Sequence, residues 1–235
     1  MTEPKKIPAR AVALLSGGLD STLAARLILE RGIEVVGLNF ISPFCLCDRK
    51  KGCRGIATEV GRQLGIPVVT KSLSADYLSI LRSPQHGYGK NLNPCIDCRI
   101  LMLRKAREFM KQVQASFVIT GEVLGQRPMS QHRRSMKLIE REAGLEGLVV
   151  RPLSGRLLPP TEPEKWGLIK REWLLDITGR SRKQQLELVQ ERQIRLYACP
   201  AGGCLLTQPS FAPRVLDLVK HSKSCLLYTS PSPRD

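Results

Sequence analysis

The chain has 235 residues, of which 42% are hydrophobic and 25% charged, and this composition excludes an intrinsically disordered protein. Lysine and arginine outnumber aspartate and glutamate by 37 to 21, so the formal net charge is +16. Such an excess favours a polyanionic partner, and we expect RNA rather than a merely basic soluble protein. The apolar runs are far shorter than the roughly 20 residues that cross a bilayer, so we expect no membrane partner and a cytoplasmic location.

Short apolar segments alternate with amphipathic ones along the chain. Apolar runs bounded by glycine, proline or polar residues predict strands at residues 11–15, 34–40, 67–73, 116–120 and 148–151. Apolar periodicity predicts helices at residues 21–31, 55–64, 93–113, 162–176 and 182–193. The alternation predicts an α/β fold with a parallel sheet covered by helices on both faces.

A glycine-rich turn joins the first predicted strand to the first predicted helix. Its sequence is Ser-Gly-Gly-Leu-Asp-Ser at residues 16–21. Backbone N–H groups at such a turn face the positive end of the helix dipole and bind phosphate, and Gly17 and Gly18 allow close approach. The hydroxyls of Ser16, Ser21 and Thr22 add donors, and Asp20 is a candidate Mg²⁺ ligand. No Gly-Lys-Ser/Thr follows, which excludes the Walker pattern.

Cys95 and Cys98 begin a predicted helix, with Asn93 as its expected N-cap. The two thiols share one helix face, and the helix dipole is expected to lower their pKa values. Cys204, on a glycine-rich loop, is a candidate third thiol, and Cys199 is its alternative. Thiols in this pattern suit a metal, an iron–sulfur cluster or a redox pair, and a purely structural zinc site also stays open.

A second cysteine group follows the second predicted strand, at Cys45, Cys47 and Cys53. It indicates either another metal site or a basic RNA-contacting loop. Further basic clusters are Arg104, Arg107 and Lys111; Arg127, His132, Arg133, Arg134 and Lys137; and Arg180, Arg182 and Lys183. These clusters favour RNA contact.

The turn at residues 16–21 resembles the signature of the PP-loop (adenine nucleotide α-hydrolase) superfamily. The segment Thr120–Gln126, followed by Ser130-Gln131, resembles the second signature of the tRNA 4-thiouridine synthases. The cysteine pattern is similar to that of the sister family, the tRNA 2-thiouridylases. The resemblance implies a Rossmann-like PP-loop fold and ATP cleavage between the α and β phosphates. The ATP contacts that it implies are Ser16, Gly17, Gly18, Asp20, Ser21, Thr22, Asn39, Phe40, Arg99, Gly121 and Gln131.

The activity that the resemblance implies is ATP-dependent sulfur transfer to a tRNA uridine through an adenylated oxygen. Asp20, Cys95, Cys98 and Cys204 would be catalytic, and the three cysteines would hold a [4Fe-4S] cluster, with zinc as the alternative. The sulfur donor would be sulfide or a cysteine desulfurase. Two other functions stay open: a zinc-bearing PP-loop ligase or amidotransferase acting on a small molecule, and a non-catalytic, nucleotide-dependent RNA-binding protein.

The expected organisation is a PP-loop ATP-binding domain at residues 1–155 and a helical extension at 156–224 that carries the Cys204 loop. Residues 225–235 have no helical or strand pattern and resemble a translated sequencing adapter, so we expect a non-native tail. We recognise neither a THUMP RNA-binding module nor a rhodanese-like domain. That leaves the tRNA substrate and the sulfur donor open.

Overall fold

The computed structural model describes residues 9–45, 52–198 and 204–221. The strands are β1 Arg10–Leu14, β2 Glu34–Ile41, β3 Val68–Ser72, β4 Phe117–Ile119 and β5 Val149–Val150. The helices are α1 Leu19–Leu29, α2 Gly52–Leu64, α3 Ser74–Arg82, α4 Cys95–Gln112, α5 Arg133–Ala143, α6 Glu162–Lys165, α7 Lys183–Glu191 and α8 Ala212–His221. Cys47, Cys199, the Cys53 side chain and residues 225–235 lie outside the described residues, so what the sequence predicts for them remains a prediction.

The five strands form one parallel sheet in the order β3-β2-β1-β4-β5. This confirms the predicted fold class. Strand order reverses between β1 and β4, so the crevice beyond their carboxyl ends is the place where such sheets bind ligands. The glycine-rich turn follows β1, and the Thr120–Gln126 motif follows β4, at this same edge.

Alternating side chains of β1 divide the core into two layers. Ala11 and Ala13 face a cluster that includes α1, α2 and α7, whereas Val12 faces a cluster built on α4 and α5. A third cluster joins α3, α8 and Phe44 beside the sheet. Residues of the predicted extension, such as Ile169 and Val189, belong to the first of these clusters.

Three local predictions were wrong or incomplete. The helix predicted at 162–176 ends at Lys165, and Gly167 then adopts a left-handed φ of 75° that a continuing helix does not permit. Asn93 does not cap α4, because the cap position is Pro94 and no side-chain cap hydrogen bond forms. Helices α3, α5 and α8 were not predicted. None of the helices in the described part of the chain is long and apolar enough to span a membrane.

Candidate functional site

The glycine-rich turn forms a tight loop that leads into α1. Gly17 has a φ of 75°, and a Cβ there would lie 2.7 Å from Ile56 Cγ2, so glycine is needed for both backbone and space. The hydroxyls of Ser21 and Thr22 donate to the Gly18 carbonyl at 3.0 and 2.9 Å, and the Ser16 and Ser21 hydroxyls lie 3.0 Å apart. The loop is therefore held in place largely by its own side chains.

Two distant segments press against this loop. A Cβ on Gly121, just beyond β4, would lie 2.5 Å from the carbonyl carbon of Asp20 and from the backbone nitrogen of Ser21. Ala198 donates its backbone N–H to the Gly17 carbonyl at 2.7 Å, in a parallel bridge with Gly18. The segment that ends at Ala198, before the Cys204 loop, is thereby hydrogen-bonded to the phosphate loop.

Asp20 faces a polar group drawn from two later segments. Gln126 Nε2 donates to Asp20 Oδ2 at 3.2 Å, whereas Oδ1 is buried with no hydrogen-bond partner in the described structure. Burial raises the pKa of Asp20, while the Gln126 hydrogen bond and the charges of Arg182 and Arg127 act to lower it. A buried carboxylate oxygen with no hydrogen bond suits a Mg²⁺ ion, and the neighbouring arginines suit the phosphates that such an ion would bind.

Arg127 connects the loop to the cysteines. Its side chain is solvent-exposed by area, yet desolvation of the head group and the charge of Arg99 lower the pKa of the guanidinium. Cys95 and Asp20 also lie within electrostatic range of this same group. The Arg127 guanidinium is therefore influenced by both the phosphate-binding loop and the Cys95–Cys98 turn.

A buried ion network fixes Arg99, the neighbour of Cys98. Arg99 Nη2 lies 3.2 Å from Glu122 Oε1, and Arg151 Nε lies 2.9 Å from Glu122 Oε2. Arg151 also pairs with Glu140 on α5. Desolvation opposes the ionisation of Glu122, but the two arginines outweigh it and lower its pKa. Glu122 is a carboxylate in the second motif to which sequence reasoning gave no role.

The remaining predicted ATP contacts lie at the same edge of the sheet. Asn39 is 1% exposed at the end of β2, where its Nδ2 donates to Thr70 Oγ1 at 3.5 Å. Phe40 packs against the second and third core clusters. Gln131 is 2% exposed, and its carbonyl accepts from the Gly125 N–H at 2.7 Å, which closes the turn that contains the spacer at residues 127–129. Their contacts with ATP stay predictions.

Two predicted thiols meet at a tyrosine that was not predicted. Tyr77 on α3 is 2% exposed, and its hydroxyl lies beside the sulfur atoms of Cys98 and Cys204. Cys95 contributes to the electrostatic environment of both thiols. Burial raises the pKa of Cys98 to about 12 and that of Cys204 to about 11. The prediction that the helix dipole lowers the pKa of the Cys98 thiol was wrong, because desolvation outweighs the dipole.

Cys45 lies next to this group. It forms an antiparallel β-bridge with Cys204 and contributes to the electrostatic environment of the Cys204 thiol. None of Cys45, Cys95, Cys98 and Cys204 is in a disulfide. No local sequence signal indicated this proximity, because the two residues are far apart along the chain.

The thiol set has the chemistry of a metal centre but not its arrangement. Thiols are the ligands of iron–sulfur clusters and of structural zinc. Within residues 9–45, 52–198 and 204–221, however, no group of three or more histidine, cysteine, aspartate or glutamate side chains is placed to hold a metal ion. The [4Fe-4S] cluster and zinc therefore stay predictions.

His86 fastens the loop that precedes the cysteine helix. Its ring nitrogens lie 3.2 Å from Asp97 Oδ1 and 3.1 Å from Glu142 Oε1, and the backbone N–H groups of Gln85 and His86 donate to Asp97. Desolvation acts to lower the pKa of His86, but the two carboxylates outweigh it and raise it. The ring thus joins the Cys95–Cys98 turn to α5.

Comparison with known proteins agrees with the motifs. A family model described as "Thiamine biosynthesis protein (ThiI)" matches residues 7–156. A probable tRNA sulfurtransferase of Natranaerobius thermophilus is 31% identical over 147 residues, covering 62% of this chain and 35% of that protein. The tRNA-specific 2-thiouridylase MnmA of Symbiobacterium thermophilum is 28% identical over 139 residues, covering 52% of this chain and 36% of that protein.

Among solved structures, a 4-thiouridine synthetase–RNA complex with bound ATP aligns with a TM-score of 0.52 and 24% identity, over 90% of this chain and 49% of that one. This similarity supports the fold. The chain spans little more than a third of the length of the curated relatives compared above. Because the family model covers more than half of the sequence, the chain belongs to the ThiI family of PP-loop proteins.

Proposed function

We propose that the protein is an ATP-dependent sulfurtransferase that replaces a carbonyl oxygen of a tRNA uridine with sulfur. The observation that carries this proposal is that the second motif contacts both sites: Gln126 donates to Asp20 in the phosphate loop at 3.2 Å, and Glu122 pairs at 3.2 Å with Arg99, the neighbour of Cys98. One short segment thus joins the site for phosphate chemistry to the site for thiol chemistry. Relatives named tRNA sulfurtransferase and 2-thiouridylase support the choice of substrate.

The first step is adenylation. The uridine oxygen attacks the α-phosphorus of ATP, and pyrophosphate leaves. The negative charge of the leaving pyrophosphate would be bound by backbone N–H groups of the loop at residues 16–21 and by the guanidinium groups of Arg127 and Arg182. Mg²⁺ held by Asp20 Oδ1 would neutralise phosphate charge, which fits the absence of a partner for that oxygen in the described structure.

The second step is the replacement of AMP by sulfur. Adenylation turns the uridine oxygen into a good leaving group, and a sulfur nucleophile then attacks the ring carbon that bears this oxygen. Cys204 forms a bridge with Cys45, just beyond the carboxyl end of β2, and the thiols around Tyr77 would deliver that sulfur from this edge of the sheet. The [4Fe-4S] cluster is a further hypothesis: held by Cys95, Cys98 and Cys204, it would carry sulfide. Iron, zinc and sulfide content after anaerobic purification tests it.

The first part of α5 offers a surface for the RNA. Arg133, Arg134 and Lys137 are solvent-exposed and follow directly after the second motif. They lie on a helix whose opposite side is buried through Met136 and Ile139. Phosphate contacts there would orient the tRNA without selecting its sequence.

The test is a reaction of purified protein with tRNA, ATP and a sulfur donor, followed by product and nucleoside analysis. The proposal expects AMP and pyrophosphate together with a thiolated uridine. Asp20→Asn should lose pyrophosphate release, whereas the exposed control Asp176→Asn should not. Cys98→Ala should lose thiolation, and full thiolation by this variant would contradict the sulfur step.

Two other outcomes identify the alternative functions. Adenylation of a small molecule, with zinc bound and no effect of tRNA, would indicate a ligase or amidotransferase. Binding of tRNA and ATP without pyrophosphate release would indicate a non-catalytic RNA-binding protein.

A further inference from the structure

We infer that Gln185 of α7 is a positioning residue of the phosphate site, where its amide orients the Asp20 carboxylate for Mg²⁺ and ATP. This role rests on the ATP use contained in the proposed function. Gln185 lies outside residues 7–156, the segment that the family model matches. It is carried by the side of α7 that packs against α1, the helix that begins with the phosphate loop.

The buried side of α7 is polar at a position where an apolar residue is expected. The two buried residues of this helix are Gln185 and Val189, which are four apart and therefore lie on one face. Val189 belongs to the first core cluster, together with Leu23 and Leu27 of α1. One turn earlier on the same face, Gln185 is 0% exposed. An amide adds nothing to an apolar core, so packing alone does not account for this residue.

The Gln185 amide is buried without a hydrogen-bond partner. Neither its Oε1 nor its Nε2 has one within residues 9–45, 52–198 and 204–221. Burial raises the pKa of Asp20, and Gln185 is among the groups that act to lower it, which places the amide beside the carboxylate. Asp20 Oδ1 also has no hydrogen-bond partner in the described structure. Because unpaired buried polar groups cost free energy, three such atoms in one place indicate a site that a ligand completes.

Hydrogen bonds at both ends of α7 fasten its segment to the two ATP motifs. Before the helix, the Gly179 N–H donates to the carbonyl of Leu124 in the second motif, at 2.8 Å. After the helix, the Ala198 N–H donates to the carbonyl of Gly17 in the phosphate loop, at 2.7 Å. The helix that carries Gln185 is therefore held in a fixed position relative to both motifs.

The amide supplies the hydrogen bond that the carboxylate lacks. Gln126 donates to Asp20 Oδ2 at 3.2 Å and leaves Oδ1 without a partner in the described structure. An ionised carboxylate oxygen has two lone pairs, so Oδ1 can accept from Gln185 Nε2 with one and bind Mg²⁺ with the other. An amide on each oxygen fixes the rotation of the carboxylate, and a metal ligand oriented in this way binds more tightly. Gln185 thus acts on the metal and on the phosphates through Asp20.

Replacement of the amide by an apolar group separates positioning from packing. Gln185→Met keeps the unbranched shape of the side chain, Gln185→Leu is a second variant, and Gln184→Met is the control at an exposed neighbour. Titration calorimetry of the full chain with ATP and Mg²⁺ should give a Kd about tenfold higher for both Gln185 variants, and an unchanged Kd for the control. The midpoint of urea unfolding should not fall, because an apolar group replaces an unpaired amide. An unchanged Kd overturns the positioning role, and so does a lower unfolding midpoint without a change in Kd.

A double-mutant cycle tests whether Gln185 acts through Asp20. In a protein that already carries Asp20→Ala, Gln185→Met should not raise the Kd further, because the group that it positions is gone. The Kd for ATP in the presence of a Mg²⁺ chelator should likewise be the same with and without Gln185→Met. A further loss of affinity in either experiment overturns the positioning role.

The outcomes distinguish this role from the proposed function. A protein that binds ATP with Mg²⁺ through Gln185 but thiolates no tRNA refutes only the proposed function. A protein that thiolates tRNA and binds ATP equally well with and without the Gln185 amide refutes only the positioning role. If the unmodified protein binds no ATP in the presence of Mg²⁺, both fail.

Discussion

Replacing Glu122 with glutamine removes a buried carboxylate that two arginines share. The Glu122 and Arg151 side chains are only 5% and 4% exposed. Removing one partner of a buried ion pair costs about 3–5 kcal/mol, because the other charge is left desolvated. Arg151 keeps its contact with Glu140, so we expect the lower end, about 3 kcal/mol. For a domain of this size, that loss lowers the midpoint of thermal unfolding by about 6–12 °C.

Glu30 offers a matched control at the surface. It also pairs with two arginines, Arg26 at 2.9 Å and Arg192 at 3.3 Å, but its side chain is 27% exposed. Exposed pairs contribute about 0–1 kcal/mol, so Glu30→Gln should cost less than about 1 kcal/mol. Urea unfolding of the two variants measures both values. Equal losses in the two variants would refute the assignment of Glu122 as the centre of a buried network.

The same variant has a second consequence, because Glu122 positions Arg99. The predicted ATP contact of Arg99 depends on that position, so Glu122→Gln should also weaken ATP binding. The contribution of Glu122 to stability has a defined pH dependence. Since its folded pKa is lowered, the contribution is present above the ordinary glutamate pKa and is lost as pH falls through the folded value. The difference in unfolding free energy between the unmodified protein and Glu122→Gln should therefore shrink as the pH falls.

Three further substitutions test other parts of the site. Gly121→Ala places a Cβ 2.5 Å from the phosphate-loop backbone, and calorimetry should show a loss of about 1–3 kcal/mol together with lost ATP binding. Arg127→Ala should raise the Kd for ATP about tenfold through a lost charge-assisted contact, whereas the exposed Arg133→Ala should not, as titration calorimetry would show. His86→Gln should lower the thermal midpoint more at about pH 6 than at about pH 9. The raised pKa of His86 gives stability that is full below its unfolded value and is lost above its folded one; a difference independent of pH would exclude the ion pair with Asp97.

The sheet was predictable because each strand is a short apolar run closed by a turn signal. Residues 11–15 and 34–40 were predicted within one residue of β1 and β2. The predicted helix at 162–176 was wrong because apolar residues such as Ile169 and Leu174 pack into the core from irregular backbone. The spacing of these apolar residues matches the period of a helix, although the backbone that carries them is not helical. Helix α5 carries a signal that was missed, with Met136, Ile139 and Ala143 buried on one side and Gly144 ending it at a φ of 67°.

The phosphate loop and the Gly121–Gln131 motif were predictable because their chemistry is encoded in consecutive residues. The surroundings of the thiols were not, because Tyr77, Cys45 and Cys204 meet only after α3 and the Cys204 loop pack beside the sheet. The raised thiol pKa values follow from that burial, which local sequence does not show. Arg127 and Arg182 were assigned to RNA contact as members of basic clusters, which stays a prediction, and the fold also brings both into electrostatic range of Asp20.

The most direct test of coupled adenylation and sulfur transfer is mass spectrometry of tRNA nucleosides from cells with and without the gene. We expect a uridine whose mass exceeds the unmodified value by the difference between sulfur and oxygen, and which disappears with the gene. That nucleoside should return with the unmodified gene and not with one encoding Asp20→Asn or Cys98→Ala. An identical set of thiolated nucleosides in both cell types would rule out coupled adenylation and sulfur transfer by this protein.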